Sequence, residues 1–353
     1  ELGLRTWERI YAMGHSTVED RRAEATIFHL VRENAIYGEN DSPEGISPFR
    51  PHRSVDYNIN RYGLRVRISE PSILEPAAWT IGMLGGSTIW GYNVADSNTI
   101  PTLLEAQYGH GGVRVLNLGI SGYSFLEEFK LIRLFAESEL IAPDQLVFYH
   151  GGNDFARVYQ YAMRGVREQK ILFATPGLLQ ELENILSRSS LFNWAKWATA
   201  LLVPNDYYAE QKTGASARVE EEVRVYLALY SDVMRFCREY GMRCDFFLQP
   251  LLTNKREKTL TERITTNAHI SRFPGYKERY DEFVDHIMAA GKANIHDLRE
   301  ALETSELVFS YKDIIHVNAK GNSMIASETY RRLYASGGVM SDSSEVTHGD
   351  GKL

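Results

Sequence analysis

At 353 residues the chain is long enough for about two domains, or for one large domain carrying insertions. Hydrophobic residues make up 44% and charged residues 24%, an ordinary globular balance that excludes collagen-like, mucin-like and largely disordered chains. The 39 Lys and Arg against 46 Asp and Glu give a net charge of −7, without a basic stripe, which argues against nucleic acid as a partner.

Residues 4–36 read as helix, rich in Ala and Glu. Residues 38–55 carry Gly38, Asn40, Asp41, Pro43, Gly45, Pro48 and Pro51, which is loop chemistry. Residues 1–77 are therefore expected to be a helical arm with a loop lead-in. From Ala78 strand and helix alternate. Trp79–Leu84 is a short apolar run ending in Gly85-Gly86, a buried-strand pattern. Pro101–Tyr108 reads as a helix with Pro near its start. Val113–Leu118 is a second strand, Phe125–Leu140 an amphipathic helix, and Asp144–Tyr149 a third strand ending at Gly151-Gly152. Later come a helix at Val219–Tyr240, a strand at Arg243–Gln249, a helix at Tyr276–Ala290, a short strand at Asn294–Leu298 and a closing helix at Asn318–Tyr334.

The strands are continuous apolar runs, so both sheet faces should be covered. The expected fold class is α/β, a three-layer α/β/α domain over residues 78–336 with a central parallel sheet of about five strands. Residues 155–215 interrupt the alternation. Leu178, Leu179, Leu182, Ile185 and Leu186 fall at helical spacing there, before Phe192, Trp194 and Trp197. A helical insertion packed on the domain is the simplest reading, with a lid over the site or a membrane-surface contact as alternatives. Because it leaves the domain at a strand end, the insertion is expected to wall one side of a substrate pocket, with Trp194 and Trp197 as substrate-binding residues. Residues 337–353 are rich in Ser, Asp and Gly and are expected to form a disordered tail.

A membrane span needs about 20 apolar residues in a row. The best stretch, Leu191–Val203, is shorter and holds Asn193 and Lys196. The chain starts at Glu1 without Met, so a fragment or a processed product is expected, a signal peptide or an anchor helix being candidates for what preceded it. Cys237 and Cys244 form neither a disulfide framework nor a zinc site. Two buried thiols are the simpler reading, and one disulfide the alternative.

Ligands of parallel sheets bind beyond the carboxyl ends of the strands, and four polar segments stand at such places. Ser87 follows Gly85-Gly86, where its hydroxyl can be exposed beside backbone amides. Asn117-Leu-Gly-Ile-Ser-Gly122 follows the second strand, its glycines permitting a tight turn and an open amide. His150-Gly-Gly-Asn153-Asp154 follows the third strand, and Asn supplies a fixed amide donor. His150, by position alone, is a candidate pocket-lining residue. Asp313-Ile-Ile-His316 precedes the last helix, and a carboxylate three residues from His can fix the tautomer that leaves Nε2 free as a base. Each segment alone is compatible with ordinary turn or capping chemistry.

Taken in order, Ser87, Gly122, Asn153 and Asp313/His316 resemble the four blocks of the SGNH (GDSL-type) hydrolases. The resemblance covers roughly residues 78–155 and 243–335. Tyr57-Asn-Ile-Asn60-Arg-Tyr-Gly63-Leu-Arg65 is also similar to the lead-in of a bacterial subgroup with an upstream anchor or signal segment. The resemblance implies an SGNH/flavodoxin-like fold, Ser87 as nucleophile, His316 as general base and Asp313 as its orienter. It implies an oxyanion hole from the Ser87 and Gly122 amides and the Asn153 side chain, with Gly119 as the alternative to Gly122. No metal or organic cofactor is required. The first block departs from the family, reading Gly85-Gly86-Ser87 where Gly-Asp-Ser is usual, and Ile314, Ile315 and Val317 replace common Gly and Pro.

The implied activity is serine ester hydrolysis through an acyl-enzyme, on a lipid or an acylated carbohydrate. Acyl transfer or deacetylation on a polysaccharide and a non-catalytic binding module are the alternatives. The expected location is extracytoplasmic or membrane-anchored. Other catalytic patterns are missing: position 89 is Ile, so there is no Gly-x-Ser-x-Gly elbow, and neither Gly-x-Gly-x-x-Gly, Walker A nor His-Glu-x-x-His occurs. His110, His269, His286 and His296 show no ligand spacing and read as surface or core residues.

Overall fold

The computed structural model describes residues 51–60, 63–67, 77–109, 112–137, 141–156, 213–310 and 313–336. The expected arm at 4–36, most of the 155–215 insertion with Trp194 and Trp197, the tail at 337–353, and His110 lie outside the described residues.

The elements in chain order are β1 (Trp79–Gly85), α1 (Ser87–Trp90), α2 (Ile100–Gln107), β2 (Val113–Asn117), α3 (Phe125–Glu137), β3 (Gln145–His150), α4 (Thr213–Glu239), β4 (Arg243–Leu248), α5 (Leu260–Arg272), α6 (Tyr276–Ala289), β5 (Ile295–Asp297) and α7 (Ala319–Ala335). All described strand pairs are parallel, in the order β2-β1-β3-β4-β5. This is a flavodoxin-like doubly wound order. The chain moves one way from β1 to β2 and the other way from β2 to β3. With right-handed crossovers, that reversal puts α2 and α3 on opposite faces. Accordingly α7 packs on α2, while α3 and α6 pack on α4. All six residues of β3 are buried, as a strand covered on both faces requires.

Local chemistry sets the boundaries. Thr99 caps α2 by accepting from the Thr102 amide, with Pro101 in the first turn. Asn318 caps α7 by accepting from Gly321. α5 is an element beyond those expected. Its start is a capping box in which Thr259 and Glu262 bond each other's backbone amides, and Thr-x-x-Glu was the signal available for it.

One expectation is corrected. Cys237 and Cys244 are not two thiols but a disulfide, joining the end of α4 to β4 across a turn at Gly241. Part of the loop lead-in belongs to the core: Tyr57, Ile59 and Leu64 are almost fully buried and pack in the same cluster as the strands. Among the described residues no helix is long and apolar enough to cross a membrane.

Candidate active site

The strand order reverses at β1, which lies between β2 and β3, and a crevice at the carboxyl ends follows from that topology. Three of the expected segments emerge there: Ser87 just after β1, Gly122 after β2 and Asn153 after β3. The fourth arrives from the loop before α7.

Ser87 is the first residue of the one-turn helix α1, and its residue is 9% exposed. His316 Nε2 lies 2.6 Å from Ser87 Oγ, and His316 Nδ1 lies 2.7 Å from Asp313 Oδ2. Asp313 Oδ1 accepts from the Ile315 and His316 amides, both at 2.8 Å, so the short segment folds back on its own carboxylate. Burial alone would raise the Asp313 carboxyl. The facing His316 and the hydrogen bonds from His316 and Ile315 outweigh burial and hold it below the ordinary carboxylate range. An ionised carboxylate only accepts. Nδ1 therefore carries the proton toward Asp313, and Nε2 is left to accept from the Ser87 hydroxyl. The Tyr92 ring packs on the His316 ring at 4.8 Å between centroids.

The two glycine candidates stand in different surroundings. The Gly119 amide donates to Asn117 Oδ1 at 3.0 Å, while Asn117 Nδ2 donates to Ile89 O. Gly119 is thus tied into the turn that packs against α1. Gly122 sits at φ +83, in the left-handed region that favours glycine. Asn153 Nδ2 donates to Tyr123 O at 2.7 Å, and an amide nitrogen carries a second proton beyond that bond. The same amide lies against Gly86, where an added Cβ would overlap Nδ2. Gly86, the departure from Gly-Asp-Ser, leaves room for Asn153 beside Ser87. Asp154 fixes this turn by accepting from the Phe125 and Gly151 amides at 2.9 and 3.1 Å.

His150 is not a pocket residue. It is 3% exposed in the core, with Nδ1 3.0 Å from Glu128 Oε2 and Nε2 2.8 Å from the Tyr226 hydroxyl. As the last residue of β3, it is turned by strand alternation into the layer between the sheet and α3/α4, under the Phe125 ring. Burial pushes the Glu128 carboxyl up to about 7, against the opposing pull of His150. Glu128 Oε1 has no hydrogen-bond partner, which suits a protonated carboxyl better than a carboxylate. His296 is likewise a core residue, 3.3 Å from Asp245, and His286 is exposed on α6.

No family model and no curated protein matches the chain. Solved structures do match. A member of the lipolytic protein G-D-S-L family from Veillonella parvula is 15% identical, with a TM-score of 0.40, over 72% of this chain and 97% of that one. The psychrotrophic esterase EstA from a Pseudoalteromonas species is 16% identical, with a TM-score of 0.38, over 72% and 97%. A lipase/acylhydrolase from Enterococcus faecalis is 15% identical, with a TM-score of 0.38, over 73% and 96%.

Proposed function

We propose that the protein is a serine ester hydrolase that cleaves a carboxylic ester of a lipid or an acylated carbohydrate through an acyl-enzyme. The observation that supports this most is the unbroken hydrogen-bond chain Ser87–His316–Asp313 at the sheet's switch point. In this reading Ser87 Oγ attacks the ester carbonyl while His316 Nε2 takes its proton. His316 then delivers that proton to the departing alcohol, and the acyl group stays on Ser87. Water, deprotonated by His316, releases the acid and restores Ser87. Asp313 keeps the imidazole in the useful tautomer and stabilises the imidazolium. The Ser87 amide heads α1 and has no acceptor within the helix. In this reading it forms the oxyanion hole together with the Asn153 side chain and the Gly122 amide.

The Cys237–Cys244 disulfide supports a site of action in an oxidising compartment outside the cytoplasm.

The test is labelling by a fluorophosphonate together with hydrolysis of p-nitrophenyl acetate. The parent protein should label and turn over. Ser87→Ala should lose labelling and at least about 10³-fold in rate. A folded parent that does neither overturns the proposal in favour of a binding module. Full activity in folded Ser87→Ala removes Ser87 from the mechanism.

A further inference from the structure

The lead-in motif at residues 57–65 is not used by the chemistry above, yet it is buried against it. Residues 58–60 and 63–66 pair antiparallel, and Val66 donates to Asn58 O. Ile59 bridges Arg65, Gly63 turns back onto Asn60, and Leu64 donates to Asn60 Oδ1. This places Asn58 and Arg65 side by side, both facing Asp96. Asn58 Nδ2 donates to Asp96 Oδ2 at 2.8 Å, and Arg65 Nε to Asp96 Oδ1 at 2.6 Å.

Arg65 does more than pair with Asp96. Its Nη1 donates to Trp90 O at 3.1 Å and to Gly91 O, and its Nη2 donates to Val94 O at 2.6 Å. Trp90 ends α1, the helix that begins at Ser87. Gly91 caps that helix at φ +90, where a Cβ would lie 2.8 Å from Arg65 Nη1. The terminal carbonyls of a helix lack intrahelical donors, and here the guanidinium supplies them. The Tyr57 and Trp90 rings hold its faces at 4.6 and 5.5 Å. The capped loop is also bonded to the nucleophile residue itself. Ser87 O accepts from Gly91 N at 3.0 Å and Tyr92 N at 2.9 Å, and Tyr92 presents its ring to His316.

We propose that Arg65 is a positioning residue for the Ser87–His316 pair. It caps the nucleophile helix and sets the 91–96 loop so that Tyr92 seats the His316 ring. The inference rests on the ester-hydrolase reading. A planar fork is needed, because its donors meet one carboxylate oxygen and three carbonyls in different directions, and a lysine ammonium cannot span them.

The test is Arg65→Lys, which keeps the charge against Asp96 and loses the fork. Reactive sites are counted with a fluorophosphonate, and p-nitrophenyl acetate kinetics are expressed per titrated site. The expected result is a kcat about 10-fold lower or more, with KM within about twofold, because geometry is lost at the reacting atoms and not in ground-state binding. In a cycle with Tyr92→Leu, the double variant should lose little beyond the larger single loss, since both act along one route. A parental kcat per site with only a lowered Tm overturns the inference and leaves Arg65 as scaffold. If Arg65→Lys yields no folded protein, Tyr92→Leu decides alone, its ring being half-buried at the loop surface, and an unchanged kcat there overturns the route to His316. A parent inert to the fluorophosphonate overturns the ester-hydrolase reading and this inference with it. A reactive parent with an unaffected Arg65→Lys overturns this inference only.

Discussion

Replacing Gly86 by Ala adds one methyl group at the point where Asn153 approaches Ser87. A Cβ at position 86 would overlap Asn153 Nδ2 and would lie 3.1 Å from Tyr123 O and 3.4 Å from Asn153 Cγ. The Tyr123 carbonyl also holds Asn153 through its 2.7 Å hydrogen bond, so methyl and amide compete for one space. Restoring ordinary contact requires Asn153 to withdraw by about 1 Å. A preorganised donor displaced by that much no longer meets a developing oxyanion, and losing one such donor typically costs about 10²–10³-fold in kcat, or about 2.7–4 kcal/mol. The expected kcat of Gly86→Ala therefore approaches that of Asn153→Ala, with KM little changed, because the donor acts on charge present only in the transition state. The Gly86→Ala/Asn153→Ala double variant should be no worse than Asn153→Ala alone. Initial rates on p-nitrophenyl acetate, per fluorophosphonate-titrated site and with Tm measured in parallel, give the answer. A Gly86→Ala protein with kcat within twofold of the parent would refute the assignment of Asn153 as an oxyanion donor.

Further outcomes follow from the same geometry. His316→Ala should lose nearly as much rate as Ser87→Ala, since the hydroxyl then has no base. Asp313→Asn should cost about 10²–10⁴-fold through the wrong imidazole tautomer. Kinetics unaffected in both would place the base elsewhere. Glu128 offers a pH test away from the chemistry. Its carboxyl is raised by burial from 4.5 to about 7, so the stability it contributes is full below about 4.5 and lost as pH rises through about 7. In urea unfolding at several pH values, the parent should lose stability relative to Glu128→Gln across that window. Parallel pH curves would show that Glu128 is not held protonated.

The sequence by itself determined the sheet and pointed to the segments of the candidate site. Apolar runs such as Gln145–His150 can satisfy only a strand covered on both faces, and the observed strands start and stop within one or two residues of the expected ones. Strand-end position made Ser87, Gly122 and Asn153 candidates, and it was the order of the four blocks, resembling the SGNH hydrolases, that gave them roles. Asp313 and His316 were legible because a spacing of three lets carboxylate and imidazole meet within a single turn. What depended on distant partners was not legible. His150 sits at a strand end like the others, but its ring faces a core layer built by Glu128 and Tyr226, 22 and 76 residues away in sequence. The cysteines became a disulfide because β4 returns beside the end of α4, a matter of where the strand packs. The lead-in motif was legible in the sequence only as a resemblance. That Arg65 would cross to α1, satisfying carbonyls at 90, 91 and 94, was decided only when the lead-in packed against that helix, because those carbonyls become a site only once the tertiary fold removes their water.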